Sequence, residues 1–324
     1  MNAARRFVGK QRQRGVAVIT ALLLTTLAVT IVASLFWQQQ VQVRSMENQR
    51  LHLQIQWILR GTLDWTRLIL QQDGIDHANY TSLQHVWAVP VANTRIDQYI
   101  DRERVQGEVF DASLSGKIVD ANSRFNLTNL ATGGVQAPAA VAAFGKLLTQ
   151  LRLDSGLAMT AMQFVAAGQA REAVGPTDTT PAVPAAPGKQ MQTIELEDLL
   201  DVPGFTVEML DTLRKYVVVL PKRTTVNANT ASAEVISAVI PNLSLAEAQA
   251  LVAQRDRSPW DSKNKFDLAV SGQRSAGADI DVKSEYFLVQ SWLKLDRASL
   301  NTEALVERTL GNNSVANVIW IHQN

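Results

Sequence analysis

Cysteine is absent from the 324 residues, which excludes disulfides, thiolate zinc sites and cysteine nucleophiles. Histidine is scarce, and none of the four copies stands in an HExxH pattern or near a second plausible ligand in the sequence: His52, His77, His85 and His322. The sequence also contains no P-loop, GxGxxG or GxSxG motif. Isolated acids such as Asp154 are more typical of a solvated surface. We therefore predict no catalytic residue, no metal site and no enzymatic activity.

Charge is missing from one long stretch of the chain. No charged residue occurs from Gly15 to Val43, whereas the whole chain has a net charge of +1. The 22 residues from Val16 to Trp37 would form a helix about 33 Å long, which just crosses a hydrocarbon core of about 30 Å. Five bases and no acid precede it: Arg5, Arg6, Lys10, Arg12 and Arg14. We expect these bases to stay in the cytoplasm and the remainder of the chain to lie across the membrane.

Three interpretations of this stretch compete. A cleaved secretory signal has an apolar core of about 7–15 residues, followed by a cleavage site of small residues. The apolar run here is longer, and the residues at its end match such a cleavage site poorly. An uncleaved signal anchor is the simplest alternative. The third is a prepilin-type leader, in which a peptidase cuts between Gly15 and Val16, before the apolar run. The Arg14-Gly15 pair followed directly by apolar residues favours the leader.

Proline is absent between Val16 and Val89, so the helix can continue beyond the apolar segment. A stripe then recurs every three or four residues, at Leu51, Ile55, Ile58, Thr62, Trp65 and Ile69. We predict one helix from Val16 to about Gln72, about 85 Å long, apolar all round in its first half and amphipathic in its second. Asp73-Gly74 is expected to end it.

Alternating residues predict an antiparallel sheet. The run 107–116 followed by 117–120 predicts a hairpin of two short strands. Residues 287–296 predict a strand of about nine residues, 301–310 a looser strand, and 317–321 a short buried strand. We expect the strands near 105–120 and 284–322 to join in one sheet.

Between these strands lies a helical segment, about 124–275, which is interrupted by a loop with four prolines at 175–188. Two parts of it resemble helix–turn–helix hairpins, around Pro203-Gly204 and Pro241-Asn242. Ser244 with Glu247 fits a capping box, and Thr230 is the expected cap of the preceding helix.

Such hairpins often bind DNA through glycine N–H groups aimed at phosphate. Here Gly204 is surrounded by acids and the second turn has no glycine, so packing within the protein is favoured over DNA binding. Calcium is the one metal left open, since carboxylates cluster at two places without matching an EF-hand: Glu195, Glu197, Asp198 and Asp201, and Asp279 with Asp281.

Five motifs are spread over the chain: the Arg14-Gly15 leader with its apolar run, RFNLTNL at 124–130, EDLLDVPG at 197–204, VNANTASAEVI at 226–236 and SEYF at 284–287. Together they resemble the type II secretion system protein K family of minor pseudopilins. The resemblance implies an α+β fold, in which a long pilin-like N-terminal helix packs on an antiparallel sheet with a large all-α insertion. It also implies the following parts: a leader at 1–15, a transmembrane half at 16–37, a pilin-like domain at 38–123 and 276–324, and the insertion at 124–275.

Thr20 is the fifth residue after the implied cut, where most pilin-like subunits carry Glu. A carboxylate there needs the N-terminal amine of the subunit ahead, because an unpaired charge in the membrane costs roughly 2.5–3.5 kcal/mol. A subunit at the tip has none ahead, so the resemblance makes Thr20 a marker of the tip position. The alternative is that Thr20 is one of several tolerated threonines in a membrane helix. Relatives usually carry acidic runs in the insertion that this chain lacks near 159–168, which weakens the case for calcium.

The resemblance implies a single-pass protein of the bacterial inner membrane with a periplasmic C-terminal domain. Its implied role is at the pseudopilus tip, where it helps to initiate assembly and limit length. Its implied partners are other minor pseudopilins, the major pseudopilin and the prepilin peptidase, with the secretin and exported proteins as further candidates. The partner-helix contact is expected at Leu51, Ile55, Ile58, Trp65 and Ile69. The alternatives are a membrane-anchored DNA receptor and a type IV pilus minor pilin.

Overall fold

The computed structural model describes residues 14–96, 112–171, 185–189, 191–270, 277–295 and 298–323. Residues 1–13 of the predicted leader, most of the proline-rich loop and the segment 107–111 lie outside them. The chain divides into two compact units, Met1–Ile58 and Leu59–Asn324. The α-helices are α1 (Arg14–Asp76), α2 (Pro138–Gln150), α3 (Leu157–Gly168), α4 (Val207–Leu213), α5 (Ala233–Val239), α6 (Leu245–Arg257) and α7 (Lys263–Ala269).

The strands fall into one large sheet and three small pairs. They are β1 (Val91–Arg95), β2 (Ala112–Asp120), β3 (Phe125–Asn126), β4 (Ala131–Thr132), β5 (Val135–Gln136), β6 (Val217–Val218), β7 (Val226–Asn227), β8 (Ile280–Asp281), β9 (Tyr286–Leu295), β10 (Ala298–Arg308) and β11 (Ala316–Gln323). The large sheet is antiparallel, in the order β1-β2-β9-β10-β11. The predicted combination of a long N-terminal helix and an antiparallel sheet is confirmed.

Helix α1 continues one turn beyond the predicted end at Asp73-Gly74. In the second unit it buries one row of side chains, at Leu59, Leu63, Thr66 and Leu70. Gly74 does not break the helix. Instead it allows the turn between β10 and β11 to approach, and the N–H of Gly311 donates to the Gly74 carbonyl at 3.0 Å. Gly74 therefore marks a position where another segment packs closely against the helix, and not the end of the helix.

Two strand predictions were wrong in detail. The predicted turn at Gly116-Lys117 lies in the middle of β2, which pairs without a break with β9. Gly116 is opposite Ser291, and an added Cβ would lie 3.0 Å from the Gln290 carbonyl oxygen. The last strand, β11, is an edge strand and not a buried one, since Ile319 and Ile321 are each about two-fifths exposed.

Helices α2–α7 share a separate apolar core with the segments around them. Stacked Phe125 and Phe144, with ring centroids 5.4 Å apart, lie in this core, as do Trp260 and Phe266. Two of the small strand pairs, β3–β6 and β4–β5, lie within the same stretch. Ser244 and Glu247 form the predicted capping box at α6. The cap of α5 is Ser232 rather than Thr230, because the Thr230 hydroxyl donates to Asp120.

Candidate functional site

The apolar half of α1 is exposed along its whole length. In the described part of the chain, α1 is the one helix long and apolar enough to cross a membrane. The Gly15–Val16 bond lies in its first turn. The Thr20 hydroxyl donates to the carbonyls of Val16 and Ala17, both at 3.0 Å, so it is satisfied within the helix and brings no charge.

The five side chains predicted to contact a partner helix do not share one environment. Ile55 is buried and Trp65 is 48% exposed, while the others are half-buried: Leu51, Ile58 and Ile69. Between Leu51 and Ile69, α1 also exposes the large apolar side chains of Leu53, Trp57 and Leu68. Of the predicted set, Trp65 is therefore the best placed for contact with another protein. The sequence shows that this half of α1 has an apolar stripe. It does not show which part of the stripe is buried by the same chain and which part is left exposed.

Asp73, in the last turn of α1, begins a buried polar network. Its Oδ2 accepts a hydrogen bond from Arg308 of β10, whose side chain has no solvent exposure. Arg308 also donates to the Thr81 hydroxyl at 2.8 Å and to the Ser284 carbonyl at 3.1 Å. Burial acts to raise the pKa of Asp73, but His85 and Arg308 outweigh it and hold that pKa below its ordinary value. The carboxylate is therefore ionised and fixed in place.

Asp120, at the end of β2, is the second centre of this network. Its Oδ2 accepts hydrogen bonds from the Thr230 and Ser284 hydroxyls, both at 2.5 Å, and from Asn227 Nδ2 at 3.0 Å. Burial raises the pKa of Asp120, because these donors do not fully replace water. Asn227 also donates to the Thr81 carbonyl at 3.1 Å, so the two carboxylates are linked through shared neighbours.

The RFNLTNL motif has a structural role in the same region. Asn126 accepts from the N–H of Leu220 at 3.1 Å and donates to the Lys222 carbonyl at 2.8 Å. Asn129 makes two bonds to the backbone of Thr224, at 3.1 and 2.7 Å. The two amides thereby hold the segment 220–224 in the way that a strand partner would.

A lysine side chain from α2 contacts the turn of the second hairpin, around Pro241-Asn242. The ammonium of Lys146 on α2 donates to the carbonyls of Ser237, Ile240 and Leu243, at 2.5, 3.4 and 2.7 Å. Burial lowers the pKa of Lys146. The turn therefore presents carbonyls to a lysine where phosphate binding would need N–H groups. This contact supports packing within the protein for this hairpin, as the sequence favoured.

The acids considered for calcium are used elsewhere. Asp198 accepts the N–H groups of Ile194 and Glu195, and Asp279 pairs with Arg223 at 2.8 Å. Glu197 pairs with Arg214 at 2.6 Å. These contacts give Glu197, Asp198 and Asp279 separate partners.

The prediction that no histidine has a second ligand nearby is wrong for three of the four, since His77 and His85 lie beside Asp73 and His322 lies beside Glu195. His77 and His85 both approach Asp73 Oδ1, with Nδ1 at 3.0 and 2.8 Å. His77 stands four residues after Asp73, directly after the end of α1 at Asp76, and this spacing is visible in the sequence. His85 enters from the loop beyond α1, and nothing local to it predicted this position. His52 lies beside Gln56, and His322 beside Glu195.

Comparison with known proteins gives the same assignment from several directions. Two family models, each described as type II secretion system (T2SS), protein K, match residues 123–222 and 226–289, together just over half of the chain. The chain belongs to the protein K family of the type II secretion system. This membership confirms the resemblance seen in the sequence.

Individual relatives cover nearly the whole chain. Type II secretion system protein K of Pectobacterium carotovorum subsp. carotovorum is 26% identical over 318 residues, 92% of this chain and 93% of the relative. The protein K of Pseudomonas aeruginosa is 26% identical over 307 residues, 88% of this chain and 86% of the relative. The fold is similar to that of a chain in the crystal structure of the GspK–GspI–GspJ complex from enterotoxigenic Escherichia coli. The TM-score is 0.58 at 18% identity, over 86% of this chain and 99% of that chain.

Proposed function

We propose that this protein is a non-enzymatic minor pseudopilin that occupies the tip of a pseudopilus. There it helps to initiate assembly and to limit length, for export of folded proteins from the periplasm. The observation that carries this proposal is the fully exposed apolar start of α1, joined to a chain of protein K type. A helix of that kind is suited to an inner membrane and later to the core of a fibre of packed helices.

The proposed route begins with a prepilin inserted in the inner membrane. The five upstream bases hold the N-terminus in the cytoplasm, and a prepilin peptidase cuts between Gly15 and Val16. The C-terminal domain then lies in the periplasm. Because the cut precedes the apolar run, that run stays with the mature subunit as its stalk.

Gly15→Ala tests this cut. We expect the precursor to stay uncut and secretion to be lost, since the peptidase needs the smallest residue before the scissile bond. Gly61→Ala is the matched control: Gly61 lies on the same helix and an added Cβ meets nothing within 4 Å. Intact-mass analysis distinguishes the uncut from the mature chain, and normal processing of Gly15→Ala would refute the assigned site.

Thr20 supports the tip position. Its hydroxyl is satisfied by the backbone of its own helix, so it needs no partner subunit ahead of it. A glutamate at the same depth would require a positive partner there. A subunit without that requirement can stand first in the fibre.

The proposed partners are other minor pseudopilins, in line with the GspK–GspI–GspJ assembly of the similar structure, and the major pseudopilin below them. The secretin and exported proteins are further proposed contacts. Trp65 and Leu68 are the contact residues that the exposure of α1 favours in the second unit.

The absence of cysteine makes this contact directly testable. We expect Trp65→Cys to form a disulfide or short cross-link with a cysteine placed on the facing helix of a co-expressed minor pseudopilin. Leu63→Cys, two residues away but 5% exposed, is the control and should not react. Equal cross-linking at both positions, or at neither, would contradict the proposed surface.

A further inference from the structure

Three metal-ligating side chains converge at the end of α1, in a place that the proposed function does not use. Asp73 lies in the last turn of α1, His77 directly follows the end of that helix, and His85 reaches them from the loop beyond it. One ligand atom from each lies within 4.8 Å of the others. Asp73 Oδ1 is 3.0 Å from His77 Nδ1 and 2.8 Å from His85 Nδ1. Two ligand atoms that bind one zinc ion at about 2 Å each lie about 3 Å apart, so both of these oxygen–nitrogen separations suit a shared ion.

The protein alone does not satisfy His85, which is as deeply buried as Asp73. The His85 side chain is 5% exposed, and neither of its ring nitrogens has a hydrogen-bond partner among the described residues. Its Nδ1 is close to Asp73 Oδ1, yet the atoms are not aligned for a hydrogen bond. A buried polar atom left in that state costs about 1–3 kcal/mol. A cation between the three side chains would supply the missing partner.

Arg308 prepares the carboxylate for such an ion. It holds Asp73 Oδ2 and leaves Oδ1 facing the two imidazoles. Outer contacts of this kind orient ligands in known metal sites. The guanidinium also repels a cation, while the negative end of the α1 dipole attracts one. The two effects oppose each other, so we expect reversible binding rather than a permanently filled site.

The orientation of the two histidine rings determines which rearrangement metal binding requires. They stack with centroids 3.8 Å apart and planes 25° apart, whereas a metal ion lies in the plane of each imidazole that binds it. One ring must therefore turn. His77 is the ring free to do so, because its side chain is 37% exposed and forms the solvent side of the site. The same exposure gives the ion its route of entry.

We propose that Asp73, His77 and His85 bind one divalent transition-metal ion, with zinc as the best match, and that water completes its coordination. Two imidazoles and one carboxylate suit zinc, cobalt, nickel or copper, and they do not suit calcium, which prefers oxygen ligands alone. The bound ion would tie the loop after α1 to the last turn of that helix.

The test titrates the full-length chain in detergent, purified with a tag that contains no histidine, against Zn²⁺, Co²⁺ and Ca²⁺. We expect one Zn²⁺ per chain, a visible Co²⁺ absorption band of a tetrahedral nitrogen–oxygen site, and a rise in Tm of several degrees with Zn²⁺. Ca²⁺ should give none of these responses. His77→Ala should weaken Zn²⁺ binding at least tenfold and abolish the cobalt band.

Two control measurements distinguish Zn²⁺ binding at this site from loss of folding and from Zn²⁺ binding to a surface histidine. His77 is partly exposed, so His77→Ala should melt as the unchanged chain does in the presence of EDTA. His322→Ala removes a surface histidine that lies beside Glu195, and it should leave Zn²⁺ binding unchanged. The proposal is overturned if the unchanged chain takes up no stoichiometric Zn²⁺. Equal Zn²⁺ affinity in His77→Ala and the unchanged chain would overturn it as well.

Discussion

Two glycines on α1 should respond in opposite directions to the same substitution. At Gly61 an added Cβ meets nothing within 4 Å. Alanine there should stabilise the protein by about 0.5–1 kcal/mol, because it reduces the freedom of the unfolded chain and favours the helix. At Gly74 an added Cβ would overlap the Ser314 hydroxyl and lie 3.0 Å from the Thr309 carbonyl oxygen. The second neighbour is backbone and cannot move aside by a rotamer change.

The size of the effect at Gly74 follows from these neighbours. Overpacking of this kind costs about 1–3 kcal/mol. The Ser314 hydroxyl is also held, since it donates to the Thr309 carbonyl at 2.6 Å and would lose that bond if it turned away. The lost hydrogen bond adds about 1 kcal/mol, which the helix-propensity gain of about 1 kcal/mol offsets, so Gly74→Ala should lose about 1–3 kcal/mol. The two variants should then differ by about 1.5–4 kcal/mol, a separation of about 3–12 °C in Tm.

Thermal unfolding of both variants, with urea unfolding as a second measure, provides the assay. A Gly74→Ala chain that also carries Ser314→Ala should recover part of the loss, because the double change removes the nearest overlap but leaves the Thr309 carbonyl in place. If Gly74→Ala raised Tm as Gly61→Ala does, the close packing of α1 against the turn between β10 and β11 would be refuted.

Two other predictions concern single side chains. Thr20→Glu should leave cleavage at Gly15 intact but reduce secretion, because a lone carboxylate in the membrane costs roughly 2.5–3.5 kcal/mol. Thr20→Val is the control, and unchanged secretion with Thr20→Glu would remove the tip argument. Asp120→Asn tests linkage. The pKa of Asp120 is raised by burial, so its contribution to stability is present at low pH and is lost as pH rises through the folded-state pKa. The stability of Asp120→Asn relative to the unchanged chain should therefore improve as pH rises, as followed by urea unfolding between pH 4 and 8. A constant difference would mean that Asp120 does not titrate as proposed.

Periodicity and local motifs predicted those parts of the fold that depend on near neighbours. The long helix followed from the absence of proline and of charge, and the ten-residue strand β9 from simple alternation. Errors arose where a residue has its effect through distant contacts. Gly74 and Gly116 were interpreted as breaks, whereas each is a point where another segment approaches closely. Thr230 was interpreted as a cap, whereas its hydroxyl donates to a carboxylate 110 positions earlier.

The buried polar network around Asp73 and Asp120 could not be predicted from the sequence for the same reason. Asp73 pairs with Arg308, which is 235 positions away, and Asp120 bonds to Ser284, which is 164 positions away. No spacing rule links such pairs in a single sequence. The motifs that carry Ser284 and Asn227 pointed to the family but did not reveal that their polar groups meet at one carboxylate. The exception is Asp73 with His77, which have the i,i+4 spacing of helix neighbours.

Asp73 and Asp120 belong to one buried hydrogen-bond network with a single structural role. Thr81 contacts Arg308 through its hydroxyl and Asn227 through its carbonyl, and Ser284 contacts Arg308 through its carbonyl and Asp120 through its hydroxyl. A buried polar network is stable only when every member has its partner. Movement of Asn227 and Thr230 away from the sheet would leave the buried carboxyl group of Asp120 without two of its hydrogen-bond donors, and a buried polar group left without a partner costs about 1–3 kcal/mol. The network therefore fixes the helical insertion on the sheet by making partial detachment unfavourable, and it does so through side chains whose contribution the apolar pattern does not reveal.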